Sequence, residues 1–157
     1  MKADYINAFL GPSVEVIQKM ARVNVHVGKL ARLQRRDTGD ALSIIIGLNG
    51  SVSGTVMLTS GRDVAWALAS RIMRDDLRPE AKDDVMAVMS EVANTIVGNA
   101  TGHLYDLGMT EGITPPTVVM GPNVSFDFSD GAETVLVPLE TEAGEMDMIV
   151  SLAKQRP

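Results

Sequence analysis

The chain has 157 residues, of which 45% are apolar and 22% charged, so we expect one globular domain over residues 1–157 with a substantial core. Its formal net charge of −6 argues against nucleic acid and anionic membrane as main partners, because neither attracts an acidic surface. The absence of cysteine excludes disulfides and thiol catalysis, and it suits a cytoplasmic location. No apolar run approaches the roughly 20 residues that span a bilayer, and polar residues interrupt any signal-peptide core.

The first elements are predicted to be a helix and a strand. Apolar residues recur at three- and four-residue steps over residues 3–21, which indicates a helix that Gly11-Pro12 should kink or break. Residues 23–33 alternate between apolar and polar and predict a half-buried strand, followed by a polar turn over 34–40. The basic residues in this region would suit either an anion site or a solvated strand edge, and the acidic chain favours the edge; they are Lys29, Arg32, Arg35 and Arg36.

A hairpin and a short helix come next. Residues 41–48 and 51–58 are rich in β-formers, and the Asn49-Gly50 step between them is a strong hairpin signal. Residues 59–63 supply candidate helix N-caps, and a short helix should then end near Met73. Trp66, the one tryptophan, is predicted to be a packing residue of that helix.

The longest segment with helical periodicity covers residues 80–107. At about 100° per residue, its predicted core face carries Val85, Met89, Val92, Ile96, Ala100, His103 and Leu107. The opposite face carries Ala87, Glu91, Asn94, Gly98, Thr101 and Tyr105. His103 is expected in the core or at a subunit contact, and Asn99 is expected to be a buried hydrogen-bonding residue because it leans toward the core side.

Glu91 and Asn94 form an unusual polar pair on the outer face. They are three residues apart, so their side chains are neighbours, and the small residues Ala87 and Gly98 leave room beside them for another backbone. By itself the pair fits the solvent side of any amphipathic helix. An asparagine amide neither donates nor accepts a proton near neutral pH, so Asn94 can act on a substrate only by hydrogen bonding.

The remainder of the chain is β-rich. Gly108 should stop the long helix, and Pro115-Pro116 bars further helix. Three or four strands are predicted, at residues 117–120, 124–128, 134–140 and 146–152, with glycine-containing turns between them. Hairpins on both sides of a helical pair predict an α+β fold: a mainly antiparallel sheet packed by two central helices, with an additional N-terminal helix.

Other chemistry finds little support. His26 and His103 are far apart in sequence and belong to no nucleophilic triad. The pairs Asp75-Asp76 and Asp83-Asp84 would suit a metal, but their position near a helix start is explained by the helix dipole. We therefore expect no metal site.

The spacing Glu91-x-x-Asn94, then 21 residues, then Pro116 resembles the signature of the CheC/CheX family, which are phosphatases of the chemotaxis response regulator CheY. Residues 97–100, Val-Gly-Asn-Ala, resemble the family's sequence after the motif asparagine. The single copy makes the chain more similar to CheX, because CheC carries two copies in a longer chain. CheC also often has Asp or Ser where this chain has Ala87.

The resemblance implies an α+β CheC-like fold and hydrolysis of the aspartyl phosphate of a phosphorylated CheY-like receiver domain. It assigns Asn94 to orienting the attacking water and Glu91 to contacting a receiver lysine, so that the partner docks on the face with Ala87, Gly98 and Thr101. Asn99 and Pro116 are its structural positions. No cofactor of its own is implied, since the receiver supplies Mg²⁺, and the chain is expected to form a homodimer.

Two other functions remain open from the sequence. A non-catalytic interaction domain of the same fold, like the middle domain of the flagellar switch protein FliM, would not need the Glu-x-x-Asn pair. A small-molecule binding module would need an apolar pocket that a sequence does not reveal.

Overall fold

The computed structural model describes residues 1–128 and 130–154, with the side chain of Lys154 excluded. The helices are α1 (Ala3–Ala21), α2 (Arg62–Met73) and α3 (Lys82–Asp106). The strands are β1 (Val25–Val27), β2 (Ala31–Arg32), β3 (Arg35–Asp37), β4 (Ala41–Gly50), β5 (Val52–Gly61), β6 (Glu111–Ile113), β7 (Thr117–Gly121), β8 (Ser125–Asp127), β9 (Glu133–Thr141) and β10 (Gly144–Lys154).

One large antiparallel sheet organises the fold. Its strand order is β1-β9-β10-β5-β4-β6, with β2 also pairing with β9 and β7 also pairing with β4, while β3 and β8 form a separate ribbon. Sequential hairpins join β4 to β5 and β9 to β10, and the β4–β5 register places Ile44 opposite Leu58. The predicted α+β class with a mainly antiparallel sheet is confirmed.

The three helices cover one face of the sheet. Alternate residues of β4, namely Leu42, Ile44 and Ile46, are buried toward the helices because side chains alternate between the two faces of a strand. The central helix α3 contacts α1, α2 and β4, so its inner side is enclosed and its outer side is left to solvent.

The opposite face of the sheet carries both polar and apolar side chains, with Met57 and Ile149 buried there, and it is tied to the β3–β8 ribbon. The hydroxyls of Ser43 and Thr59 lie 2.8 Å apart across β4 and β5. Arg36 of β3 donates to Asp147 of β10 over 2.5 Å, and both side chains are largely buried. This ion pair anchors the ribbon to the sheet.

The break predicted at Gly11-Pro12 does not occur, because α1 is one helix from Ala3 to Ala21. Pro12 is buried, and its missing amide hydrogen removes only one bond from the helical ladder. The same turn packs Phe9 and Val16 in the core, and tertiary packing supplies most of the stability of a helix in a protein.

The single strand predicted over 23–33 is divided into β1 and β2. Val27 faces Leu139 and Ala31 faces Leu136, so the register with β9 shifts by one residue between them. Pro138 of β9 lies opposite this break, and it has no amide hydrogen to donate to the ladder.

One further local prediction was wrong, and two were confirmed in their main point. The region predicted as a polar turn contains β3, because β8 supplies its pairing partner. The hairpin predicted at Asn49-Gly50 is confirmed, although both residues lie within β4 and the chain turns at Ser51. The N-cap of α2 is Gly61, one of the predicted residues 59–63; it has no side-chain cap, because the strand pairing of β5 continues through Thr59 and Ser60. The three-residue strand β6 was not predicted.

Candidate functional site

The predicted long helix is confirmed as α3. Toward its C-terminal end, however, the stripe of buried residues shifts around the helix axis. Of the predicted core face, Val85, Met89, Val92, Ile96 and Ala100 are buried. His103 and Leu107 are exposed, and Leu104 is buried in their place.

The rotation has a geometric cause. Besides Ile96, the second half buries Ala93, Val97, Ala100 and Leu104, a stripe displaced around the helix axis from the one that begins at Val85. The same displacement turns Asn99 outward, so the prediction that Asn99 is a buried hydrogen-bonding residue is wrong.

The outer face of α3 lies on the solvent side, as its pattern predicts. Ala87, Glu91 and Gly98 are exposed, while Asn94 and Thr101 are half-buried. A Cβ built on Gly98 would meet no atom within 4 Å, so the helix backbone is open to another molecule at that point.

Glu91 is held by Thr95, one turn further along α3. The Thr95 hydroxyl donates to the Glu91 carbonyl over 2.8 Å and lies 3.3 Å from the carboxylate oxygen Oε1. Thr95 was not among the predicted site residues, although its spacing of four from Glu91 was visible in the sequence.

The functional groups of Glu91 and Asn94 remain available to a partner. Within residues 1–128 and 130–154 the Glu91 carboxylate forms no ion pair, and the Asn94 amide forms no side-chain hydrogen bond. A carboxylate and an amide therefore stand side by side on an exposed face, suited to a cation and to a polar substrate atom.

Thr101 lies on this face of α3, whereas Pro116 lies outside the helix. The Thr101 hydroxyl donates to the Gly98 carbonyl over 2.7 Å, which keeps the threonine side chain low against the helix. Pro116 lies outside α3, directly before β7, where it is half-buried; β7 pairs with β4 and contacts α3.

Among the described residues, no group of three or more His, Cys, Asp or Glu side chains could hold a metal ion. Asp83 and Asp84 lie in the first turn of α3, where the helix dipole favours negative charge. None of the helices described here is long and apolar enough to span a bilayer.

The basic residues near β3 are not a free anion site. Arg35 forms an ion pair with Asp37 over 2.9 Å, and Arg36 forms one with Asp147. A hydrogen bond from Ser125, together with one from Arg35, lowers the pKa of the Asp37 carboxyl, while the hydrogen bond to Asp37 raises the pKa of Arg35. Lys29 and Arg32 are exposed at the strand edge.

Comparisons with known proteins agree on a family. The family model described as "Chemotaxis phosphatase CheX" matches residues 42–140. The chain is 26% identical over 121 residues to the CheY-P phosphatase CheX of Thermotoga maritima. This alignment covers 77% of this chain and 78% of that protein.

Solved structures show the same fold. A chain of the crystal structure of the CheX–CheY–BeF3–Mg²⁺ complex from Borrelia burgdorferi is 28% identical, with a TM-score of 0.85 over 98% of this chain and 100% of that chain. The FliM middle domain from H. pylori is more distant, at 7% identity and a TM-score of 0.63 over 98% of this chain and 94% of that chain, and it shows the fold alone.

Proposed function

Since this chain belongs to the CheX family of chemotaxis phosphatases, we propose that it hydrolyses the aspartyl phosphate of a CheY-like receiver domain. The observation that carries the proposal is the Glu91–Asn94 pair on the solvent side of α3, where the carboxylate forms no ion pair and the amide no side-chain hydrogen bond with any described residue. The Thermotoga maritima relative is a CheY-P phosphatase, and the Borrelia burgdorferi relative was crystallised in complex with CheY.

Asn94 orients the water in this mechanism. The water attacks phosphorus in line, the bond from phosphorus to the aspartyl oxygen breaks, and the electron pair leaves on the regenerated receiver carboxylate. Both protons of the water end on the released phosphate: one stays on the attacking oxygen and the other moves to a phosphoryl oxygen, which gives H2PO4−. A neutral amide suits this role because it accepts and donates hydrogen bonds without titrating, as the glutamine of GTPases does.

The receiver supplies the other half of the reaction centre. Its Mg²⁺ neutralises charge on the phosphoryl oxygens, so this chain needs no metal or cofactor of its own. Glu91 contacts a receiver lysine and fixes the orientation of docking. The face with Ala87, Gly98 and Thr101 receives the partner backbone, and Pro116 sets the start of β7 beside α3. The exposed position of Asn99 is compatible with a place at the edge of this contact.

The proposal is tested by measuring inorganic phosphate release from phosphorylated CheY-like receiver domains, with and without the protein. Acceleration above the receiver's own hydrolysis supports the phosphatase. Binding to phosphorylated receivers without acceleration would instead support the non-catalytic interaction domain, for which the likeness to the FliM middle domain is the one specific observation.

Location and assembly complete the proposal. We place the activity in the cytoplasm, the reducing compartment that suits a chain without cysteine. We also propose a homodimer of single-domain chains, each with its own Glu91–Asn94 site.

A further inference from the structure

Tyr105 is the most exposed large hydrophobic side chain in the described part of the protein. It is 70% exposed, against 47% for Leu107 and 41% for Met73. Its hydroxyl forms no hydrogen bond and its ring no cation–π contact with any described residue. Nothing in the fold of this chain therefore explains an aromatic ring at this position.

The position of Tyr105 relative to Asn94 is informative. Eleven residues separate them on one helix, which places Tyr105 about 16 Å along the axis and only about 20° around it. The surface between them is low, since a Cβ at Gly98 or Gly102 would meet no atom within 4 Å and the Thr101 hydroxyl is bound to the helix backbone. A partner seated at Asn94 can thus follow the open backbone to the Tyr105 ring.

The size of a specific interface brings Tyr105 to its edge. A stable protein–protein contact covers roughly 800 Å² per partner, and a circular patch of that area has a radius of about 16 Å. A receiver domain centred on Asn94 therefore extends to about the position of Tyr105. Buried tyrosines are among the residues that supply most of the binding energy in such contacts, because a rigid ring buries a large area at small entropic cost.

We propose that Tyr105 is a docking residue for the phosphorylated receiver domain, contacting it at the far end of the face that carries Glu91 and Asn94. This proposal rests on the proposed function. Charge favours a receiver over a second copy of this chain as the occupant. The helix α3 exposes Asp83, Asp84, Glu91 and Asp106 against a single lysine, so two copies of this helix repel each other, while a partner that presents a lysine to Glu91 is attracted.

Three variants separate the aromatic contact from general damage. Tyr105→Ala removes the ring, Tyr105→Phe keeps the ring without its hydroxyl, and Leu107→Ala removes an exposed apolar side chain on another side of the same helix end. Binding is measured by calorimetry to CheY-type receivers activated with beryllofluoride and Mg²⁺, including the Borrelia burgdorferi CheY. Phosphate release is measured on the phosphorylated receivers.

We expect Tyr105→Ala to raise Kd and KM by about tenfold or more, with kcat at saturating receiver unchanged. Tyr105→Phe and Leu107→Ala should bind as the wild type does. Unchanged binding by Tyr105→Ala, an equal loss in Leu107→Ala, or no binding of the wild type to any receiver would overturn the docking proposal. Tyr105-dependent binding without any phosphate release would overturn the phosphatase and leave the docking residue standing.

Discussion

The hydroxyl of Thr95 lies 3.3 Å from the carboxylate oxygen Oε1 of Glu91, and it donates to the carbonyl of the same residue over 2.8 Å. Thr95 is half-buried, so its own side chain is held by its surroundings, whereas Glu91 is exposed. A long acidic side chain on a helix surface otherwise loses rotamer freedom when it binds. The threonine therefore pre-orients the carboxylate that we propose meets the receiver lysine.

Thr95→Val tests this positioning role because it keeps the branched shape and removes the hydroxyl. We expect kcat/KM for a phosphorylated receiver to fall about two- to fivefold, the magnitude of one exposed hydrogen bond, with kcat unchanged. Thr95→Ser retains the hydroxyl and should behave as the wild type. Equal kinetics in Thr95→Val and wild type, or equal losses in both variants, would show that the hydroxyl does not position Glu91.

Asn94→Ala should remove catalysis and leave the fold intact. Losing one preorganised group at a transition state lowers kcat by roughly 10²–10³-fold. Within the described part of the chain the Asn94 amide holds no hydrogen bond, so stability should change by less than about 0.5 kcal/mol. Stopped-flow phosphate release gives kcat, and binding to a beryllofluoride-activated receiver gives the affinity.

The receiver's own slow hydrolysis is the baseline for this comparison. A preparation of Asn94→Ala that binds the activated receiver normally but adds nothing to that baseline would support water positioning. Full activity of Asn94→Ala would remove Asn94 from the mechanism, whatever the family.

Leu104→Ala and Leu107→Ala form a matched pair for the rotated stripe of α3. Leu104 is fully buried and Leu107 is 47% exposed, although the helical wheel placed Leu107 in the core. Truncating a buried leucine costs about 2–5 kcal/mol of unfolding free energy, because it leaves a cavity. Truncating the exposed one should cost less than about 0.5 kcal/mol, as judged by urea denaturation. Equal losses would contradict the rotated stripe.

The helical wheel placed His103 and Leu107 on the core face, and this error shows what a helical wheel cannot predict. Periodicity alone located α3 correctly, since its first half keeps one apolar stripe. The second half packs through Ala93, Val97 and Leu104, and that choice depends on how the helix crosses its neighbours. The prediction of short strands failed for a related reason. Arg35–Asp37 is extended because β8 pairs with it, so its conformation depends on tertiary context and not on local preference.

The candidate site was more predictable than the packing around it. Glu91 and Asn94 are neighbours by spacing alone, and their place on the solvent side of the helix follows from the opposite face being apolar. The Thr95 contact depends on side-chain rotamers, and the isolation of Tyr105 depends on what the rest of the chain leaves uncovered. Neither property can be predicted from a local sequence pattern.

Homodimer formation is expected from the resemblance to the CheX family. Strand edges near the C-terminus give it little further support, because β9 and β10 each have partners on both sides; among the described residues β7 pairs with β4 alone. Light scattering at micromolar concentration should give twice the 16.8 kDa mass of one chain. A mass of a single chain under those conditions would contradict the homodimer.

Glu91 should govern docking and not the chemical step. Its exposed carboxylate is a hydrogen-bond acceptor suited to a lysine ammonium. Glu91→Ala should lower kcat/KM, because a close interfacial charge pair contributes on the order of 2–5 kcal/mol if buried and less at a rim. Glu91→Lys should lower kcat/KM further, since it places two ammonium groups next to each other.

Salt and a charge-matched control make this test specific. Raising salt screens exposed charges, so it should narrow the gap between Glu91→Lys and Glu91→Ala if the pair stays partly solvated. Glu15→Lys, at an exposed position of α1, changes the net charge equally without touching α3, and it should leave kcat/KM near the wild-type value. The comparison needs kcat/KM for the wild type and all three variants on one phosphorylated receiver at low and high salt. If Glu91→Lys matches Glu91→Ala at low salt, or if Glu15→Lys loses as much as Glu91→Lys, then Glu91 does not meet a cation on the receiver.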